Sequence, residues 1–291
     1  MDQSLERYIQ IGNLRLHLRF WNNAGVPVLL LHGLASTSHI WNFVAPKLPE
    51  SFSVYVPDQR GHGLSDKPLT GYSFKHMRTD LEQFLSTLEL ANVLLVGHSW
   101  GADVALDFAA HFPERVVGLC LIDGGMIDFQ AHQTWEEAKT LLTPPSLEHL
   151  SPRDLAESFP LWFGSVWQPD FSPIILASFE DKGDKVVPRL GRAQHMEIVR
   201  ALWEQRPYEC YARLHCPTTI LLAVPPKPHD TYTASLVAWR KEGLELAQKH
   251  IAKLSVVVLE NAIHDMPLQH PERIIEEIKK LATLSSSSEN R

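Results

Sequence analysis

Val93-Leu94-Leu95-Val96-Gly97-His98-Ser99-Trp100-Gly101-Ala102-Asp103-Val104-Ala105 is the stretch whose reading decides the fold. Its first four residues are an uninterrupted apolar run of strand length. The residues from Ala102 to His111 carry Val104, Ala105, Phe108 and Ala109 at helical spacing. Between them stands Gly-His-Ser-Trp-Gly, a G-x-S-x-G. In a strand, tight turn and helix, that pattern holds the serine at the tip of the turn with its hydroxyl exposed. The two glycines permit the bend and a close approach of helix to strand, where a Cβ would collide. The plainer reading is a serine capping a helix after a glycine-rich turn. The flanking strand and helix weigh against it and make Ser99 a candidate nucleophile.

Around that turn, short apolar runs alternate with helical patterns. Val26–Leu31, Ser53–Val56, Val116–Ile122, Thr218–Val224 and Ser255–Leu259 read as further strands. Helices are expected at Phe74–Leu90, Ser99–His111, Thr231–His250 and Pro271–Leu284. Strands apolar throughout are buried on both faces, and alternation with helices makes them a mostly parallel sheet, so the fold class is α/β. Leu14–Phe20 alternates, with Leu14, Leu16, Leu18 and Phe20 on one side, and is expected as an antiparallel edge strand. The rhythm breaks over Ile127–Tyr211, which holds no good strand, many prolines and a concentration of aromatic residues. It reads as a helical insertion. The segment 285–291 begins Ser-Ser-Ser-Ser and is expected to be a disordered tail.

Composition narrows the function classes. The chain has 291 residues, 44% of them hydrophobic, and a formal net charge of -7 without a basic block. Phosphate binding needs concentrated basic charge, so nucleic acid is not an expected partner. No apolar run is long enough for a membrane span, and the N-terminal residues have no signal-peptide core. Cys120, Cys210 and Cys216 are an odd number without metal-ligand spacing and are expected as reduced thiols in a cytoplasmic protein. The histidines also lack ligand spacing, and no G-x-G-x-x-G follows a strand. Neither a metal nor a cofactor is expected.

A serine hydroxyl is a weak nucleophile until a base accepts its proton. His264 follows the last strand run, and a loop at the carboxyl end of a parallel strand opens onto the edge where the turn's tip lies. It is therefore the candidate base. His32, His62, His98, His111 and His215 are read as structural. Acyl chemistry also needs donors for a developing oxyanion. The backbone N–H of Trp100 is one candidate, and that of Leu34, in His32-Gly33-Leu34 after a strand, is the other.

Leu31-His32-Gly33-Leu34, Asp58-Gln59-Arg60-Gly61-His62-Gly63-Leu64-Ser65, the serine turn and His264 stand in the chain order of the α/β-hydrolase superfamily, which this chain resembles over nearly all of residues 10–284. The resemblance implies an α/β-hydrolase fold with a core of residues 1–126 and 212–284 and a helical cap over 127–211. It implies a structural role for Asp58 to Ser65, with Asp58 and Arg60 tying loops together. It also shows a departure. Many relatives carry an acid just after the strand matching Thr218–Val224, where this chain has Ala223-Val224-Pro225-Pro226-Lys227-Pro228 and reaches Asp230 late. Others take the acid from the end of the strand after the serine helix, which here is Asp123. Asp123 is the expected triad acid, and Asp230 the alternative.

A serine in place of the aspartate of epoxide hydrolases and haloalkane dehalogenases leaves acyl transfer to water as the implied chemistry. The expected function is hydrolysis of carboxylic esters of small to medium apolar substrates through an acyl-enzyme. The same parts serve lactone or carbon–carbon bond hydrolysis, acyl transfer, or a ligand receptor derived from a hydrolase. Among Trp135, Phe159, Trp162, Phe163, Trp167, Phe171 and Phe179, a subset is expected to line the acyl site.

Overall fold

The apolar runs become a single sheet of eight strands in a computed structural model that describes residues 4–21, 24–147, 150–225 and 231–289. The strands are β1 (Leu5–Ile11), β2 (Leu14–Trp21), β3 (Val26–Leu31), β4 (Phe52–Pro57), β5 (Val93–His98), β6 (Val116–Ile122), β9 (Thr218–Val224) and β10 (Leu254–Glu260). A separate antiparallel pair, β7 (Phe179–Asp181) and β8 (Val186–Pro188), lies between β6 and β9. In space the order is β1-β2-β4-β3-β5-β6-β9-β10. The first three pair antiparallel, and every later neighbour pair is parallel.

The strands alternate as a sheet covered on both faces must. In β3, Leu29 and Leu31 pack into one core layer with Phe84, Leu95, Phe108 and Leu121. Val28 and Leu30 pack into the other with Val54, Val96, Ile122, Ile274 and Ile278. The helices α1 (Phe74–Thr87) and α2 (Trp100–His111) cover the first face. The second is covered by α11 (Pro271–Glu289), with the short α10 (Met266–Gln269) before it. Between β6 and β9 the chain forms α3 (Phe129–His132), α4 (Trp135–Leu142), α5 (Pro152–Phe163), α6 (Ser172–Leu176), α7 (Arg192–Glu204) and α8 (Pro207–Tyr211). The helix α9 (Thr231–His250) precedes β10.

Four expectations need correction. Leu14–Trp21 is antiparallel but not at the edge, because β1 lies outside it in full register. In β1 only Ile9 and Ile11 are buried, so its polar residues hide the strand pattern. The insertion after β6 is not purely helical, since it carries the β7–β8 pair. The helix at the end of the chain does not stop at Leu284 but runs to Glu289, within the segment expected to be disordered. Ser285 explains the extension: it is buried, with its hydroxyl 2.7 Å from the Val117 carbonyl and 2.8 Å from that of Leu281. Among the described residues, no helix is long and apolar enough to cross a membrane.

Candidate active site

Parallel register brings the carboxyl ends of the central strands to one edge. Leu31 pairs with Gly97, His98 with Ile122, and Glu260 with Val224. The loops that leave these ends carry every described residue singled out for chemistry, which is where open α/β sheets bind ligands.

Ser99 sits where β5 turns into α2, with φ 55° and ψ -129°. A non-glycine residue at positive φ is strained and persists only where its surroundings hold it. Here its N–H donates to the Ile122 carbonyl at 2.8 Å, and its carbonyl accepts from Ala102 at 2.8 Å. Both flanking glycines are obligatory. A Cβ on Gly97 would lie 2.2 Å from the Gly101 carbonyl oxygen, and one on Gly101 would lie 2.5 Å from the carbonyl oxygens of Leu31 and His32.

His264 lies between β10 and α10, and its ring spans the site. Nε2 is 2.8 Å from Ser99 Oγ, and Nδ1 is 2.5 Å from Asp123 Oδ2. The backbone of His264 is pinned through its carbonyl, which accepts from His98 Nε2 at 2.9 Å and from the Met266 amide at 2.8 Å. Burial, with the adjacent His264 ring, pushes His98 down to about 4, so it stays a neutral donor.

Asp123 directly follows β6, at φ 49°, and is buried. Its Oδ1 accepts the Ala223 amide at 3.1 Å. Burial alone would raise its pKa. The Arg240 guanidinium, 3.2 Å from Oδ2, prevails together with His264 and the Ala223 amide, and holds the carboxyl below its ordinary range. The next residue, Gly124, can only be glycine, because a Cβ would lie 2.1 Å from the Ser99 carbonyl oxygen. Asp230, the alternative acid, lies outside the described residues.

The loop after β3 lies against Ser99 from the other side. A Cβ on Gly33 would come within 3.0 Å of Ser99 Cβ. Leu34 and Trp100 both line the cavity beside Ser99. Trp100 is the first residue of α2, where an amide has no acceptor inside its own helix. Two buried histidines brace this loop. His32 accepts the Gln59 amide on Nε2 at 3.0 Å and donates from Nδ1 to the Gly33 carbonyl at 2.8 Å. His62 accepts the Ala35 amide on Nε2 at 3.2 Å, donates from Nδ1 to the Arg60 carbonyl at 3.0 Å, and stacks on Trp100. Burial pushes both below the ordinary histidine range. Asp58 accepts the amides of Ser38 and Leu64, while Arg60 pairs with both carboxylate oxygens of Asp80. Of the remaining histidines, His111 bonds to Asp107 within its helix, and His215 is exposed.

The cavity holds about 200 Å³. Leu34, Met126, Ile127, Phe129, Leu202 and Leu236 give it apolar walls, and Asp103, Asp123, Arg240 and His264 bring polar groups into it. Of the seven aromatic residues from which a subset was expected to line the acyl site, none lines this cavity. Phe159, Trp162, Phe163, Trp167 and Phe171 pack on one another instead. Sequence reading also passed over Arg240 and Asp103. Asp103 stands one helical turn beyond Ser99, and burial pushes its carboxyl up to about 7 while its Oδ1 accepts the Gly125 amide.

Residues 26–216 match the alpha/beta hydrolase fold family. The chain belongs to that family. It is 36% identical to a 2-(acetamidomethylene)succinate hydrolase of Mesorhizobium japonicum over 42% of this chain and 44% of that protein. It is 40% identical to a soluble epoxide hydrolase of a Corynebacterium species over 39% of each. The matched stretch thus spans less than half the length of these curated relatives. A solved structure of E-2-(acetamidomethylene)succinate hydrolase superposes with a TM-score of 0.77 at 22% identity, covering 97% of this chain and 100% of that one, a likeness of fold.

Proposed function

We propose that the protein is a serine hydrolase that cleaves small carboxylic esters through an acyl-enzyme. The observation that carries this reading is the hydrogen-bonded line from Ser99 Oγ through the His264 ring to Asp123 at the mouth of an apolar cavity. Ser99 Oγ attacks the ester carbonyl carbon while His264 Nε2 takes its proton. The amides of Leu34 and Trp100 receive the negative charge on the carbonyl oxygen. The tetrahedral adduct collapses, the bond to the alcohol oxygen breaks, and Nε2 returns the proton to the leaving alcohol. Water then attacks the acyl carbon, gives its proton to Nε2, and releases the acid as the proton goes back to Ser99. Asp123 stays ionised throughout. It fixes the ring with Nδ1–H inward and stabilises the imidazolium.

The segment 127–211 is, in this proposal, the cap. It supplies Ile127, Phe129, Leu142 and Leu202 to the cavity wall. At about 200 Å³ the cavity falls below the range of about 300–1,000 Å³ usual for ligand pockets, which favours a short acyl group. The deciding experiment is turnover of p-nitrophenyl esters of increasing acyl length, run beside lactones, with Ser99→Ala as control. Turnover of short esters by the wild type, lost in Ser99→Ala, is the expected result. Equal turnover by both proteins would remove Ser99 from the mechanism.

A further inference from the structure

Arg240 is the feature the ester mechanism leaves unused. Of the described residues lining the cavity, it alone is permanently cationic. Its position is held firmly. Gly243, one turn along α9, packs so closely on the chain after β6 that a Cβ there would lie 1.8 Å from the Met126 carbonyl oxygen. Trp239 stacks on His132, with ring centroids 4.7 Å apart and planes 9° apart. These contacts turn Leu236 and Arg240 into the cavity. Among the described residues, the guanidinium has one ion-pair partner, Asp123, whose Oδ2 lies 3.2 Å from Nη1.

A fixed cation at that place works against ester hydrolysis taken alone. Asp123 Oδ2 serves Arg240 and His264 together. When His264 gains the proton of Ser99, a second cation forms on the same oxygen. The existing charge then makes the new one harder to create. An anion supplied by the substrate would take over the guanidinium and free Asp123 for the imidazolium. Asp103, the other acid in the cavity, does not serve that purpose below neutral pH, because burial keeps its carboxyl protonated there. The guanidinium fork matches one ligand chemistry in particular, a planar carboxylate held by paired N–H donors.

We infer that Arg240 is a carboxylate-binding residue of this cavity and that the preferred substrates carry a carboxylate on the acyl part. The inference rests on the acyl-transfer reading of the same site. A bound carboxylate lies against Arg240 at the α9 side while the scissile carbonyl lies between Ser99 and the amides of Leu34 and Trp100. The apolar walls between these ends suit the methylene chain of a dicarboxylic monoester.

The test compares mono-p-nitrophenyl esters of short dicarboxylic acids with p-nitrophenyl esters of monocarboxylic acids of matched length. The expected preference for the anionic member is ~10- to 100-fold in kcat/KM, the worth of a charge-assisted hydrogen bond. Arg240→Met should abolish that ratio, and Arg240→Lys should keep part of it. The ratio is read within each variant, so a general loss of activity cancels. Binding of the free dicarboxylate to Ser99→Ala, measured by calorimetry and repeated with Arg240→Met added, needs no turnover. Neutral esters hydrolysed as fast as anionic ones overturn the role of Arg240 and leave the esterase reading standing. No ester hydrolysed, with dicarboxylate binding lost on Arg240→Met, does the reverse. Equal dicarboxylate binding with and without Arg240 also overturns the inference.

Discussion

Asp123→Asn tests the site most sharply, because both carboxylate oxygens have partners among the described residues. Oδ2 accepts from His264 Nδ1 and forms an ion pair with Arg240, and Oδ1 accepts from the Ala223 amide. An asparagine has one acceptor oxygen and one donor nitrogen for these two places. With its nitrogen toward Ala223, two N–H groups face each other, and a buried donor loses its acceptor at a cost of about 1–3 kcal/mol. With its nitrogen toward His264, it forces the proton of the neutral ring onto Nε2, and the ring cannot accept from Ser99. In either orientation Arg240 loses its counter-charge. Truncating one partner of a buried pair costs about 3–5 kcal/mol, and the partial exposure of Arg240 lowers that figure. Activity should fall by up to about 10⁴-fold in kcat, the loss known for a triad acid. The assay is kcat on a short p-nitrophenyl ester, with urea unfolding on the same protein. Adding Arg240→Met should recover stability, because it removes the orphaned cation, but not kcat. A folded Asp123→Asn protein within about tenfold of wild type would refute the reasoning and turn attention to Asp230, whose own Asn variant should otherwise cost little.

Ser99→Gly should abolish turnover and yet raise stability by about 1 kcal/mol, because glycine relieves the strain at φ 55° and gives part of the gain back in chain entropy; urea unfolding reads this, and a less stable variant would contradict it. Asp103→Asn should leave stability unchanged below about pH 4 and raise it by up to about 4 kcal/mol above pH 7. The sign follows because burial raises the folded carboxyl from 3.8 to about 7, so wild-type stability is full below the unfolded value and is lost as pH rises through the folded one. Parallel melting curves for the two proteins from pH 4 to pH 8 would show that the carboxyl is not held neutral. Gly243→Ala should cost about 1–3 kcal/mol through overpacking on Met126 and should shift Arg240, which a fall in the anionic-to-neutral ester ratio would reveal.

Much of the site was legible because its signals are local. Ser99 lies between two glycines whose need is steric, and Asp123 follows an apolar strand and precedes two glycines. Both can be read without knowing what lies across the sheet. His264 needed one more step, the rule that parallel strands open their loops onto one edge. The choice between Asp123 and Asp230 could not be made that way, since both follow strands that end there. The sheet was equally plain except at β1, where Glu6, Arg7 and Gln10 interrupt an edge strand that buries only two isoleucines.

What remained hidden depended on how a helix is rotated. In Trp239-Arg240-Lys241-Glu242-Gly243 three charged residues in a row read as a solvated face. Whether Arg240 points to water or into the cavity is decided by Gly243 against Met126, a contact between segments more than a hundred residues apart. The cap aromatics mislead for the same reason in reverse. Their composition suits a binding wall, but most of the large rings in this segment pack on one another, and of the cap aromatics only Phe129 joins the mainly aliphatic wall among the described residues. Strand ends therefore report the chemistry this fold can perform, while helix packing reports the molecule on which it is performed. The substrate class is thus argued from Arg240 and Gly243, not from the serine turn that the family shares.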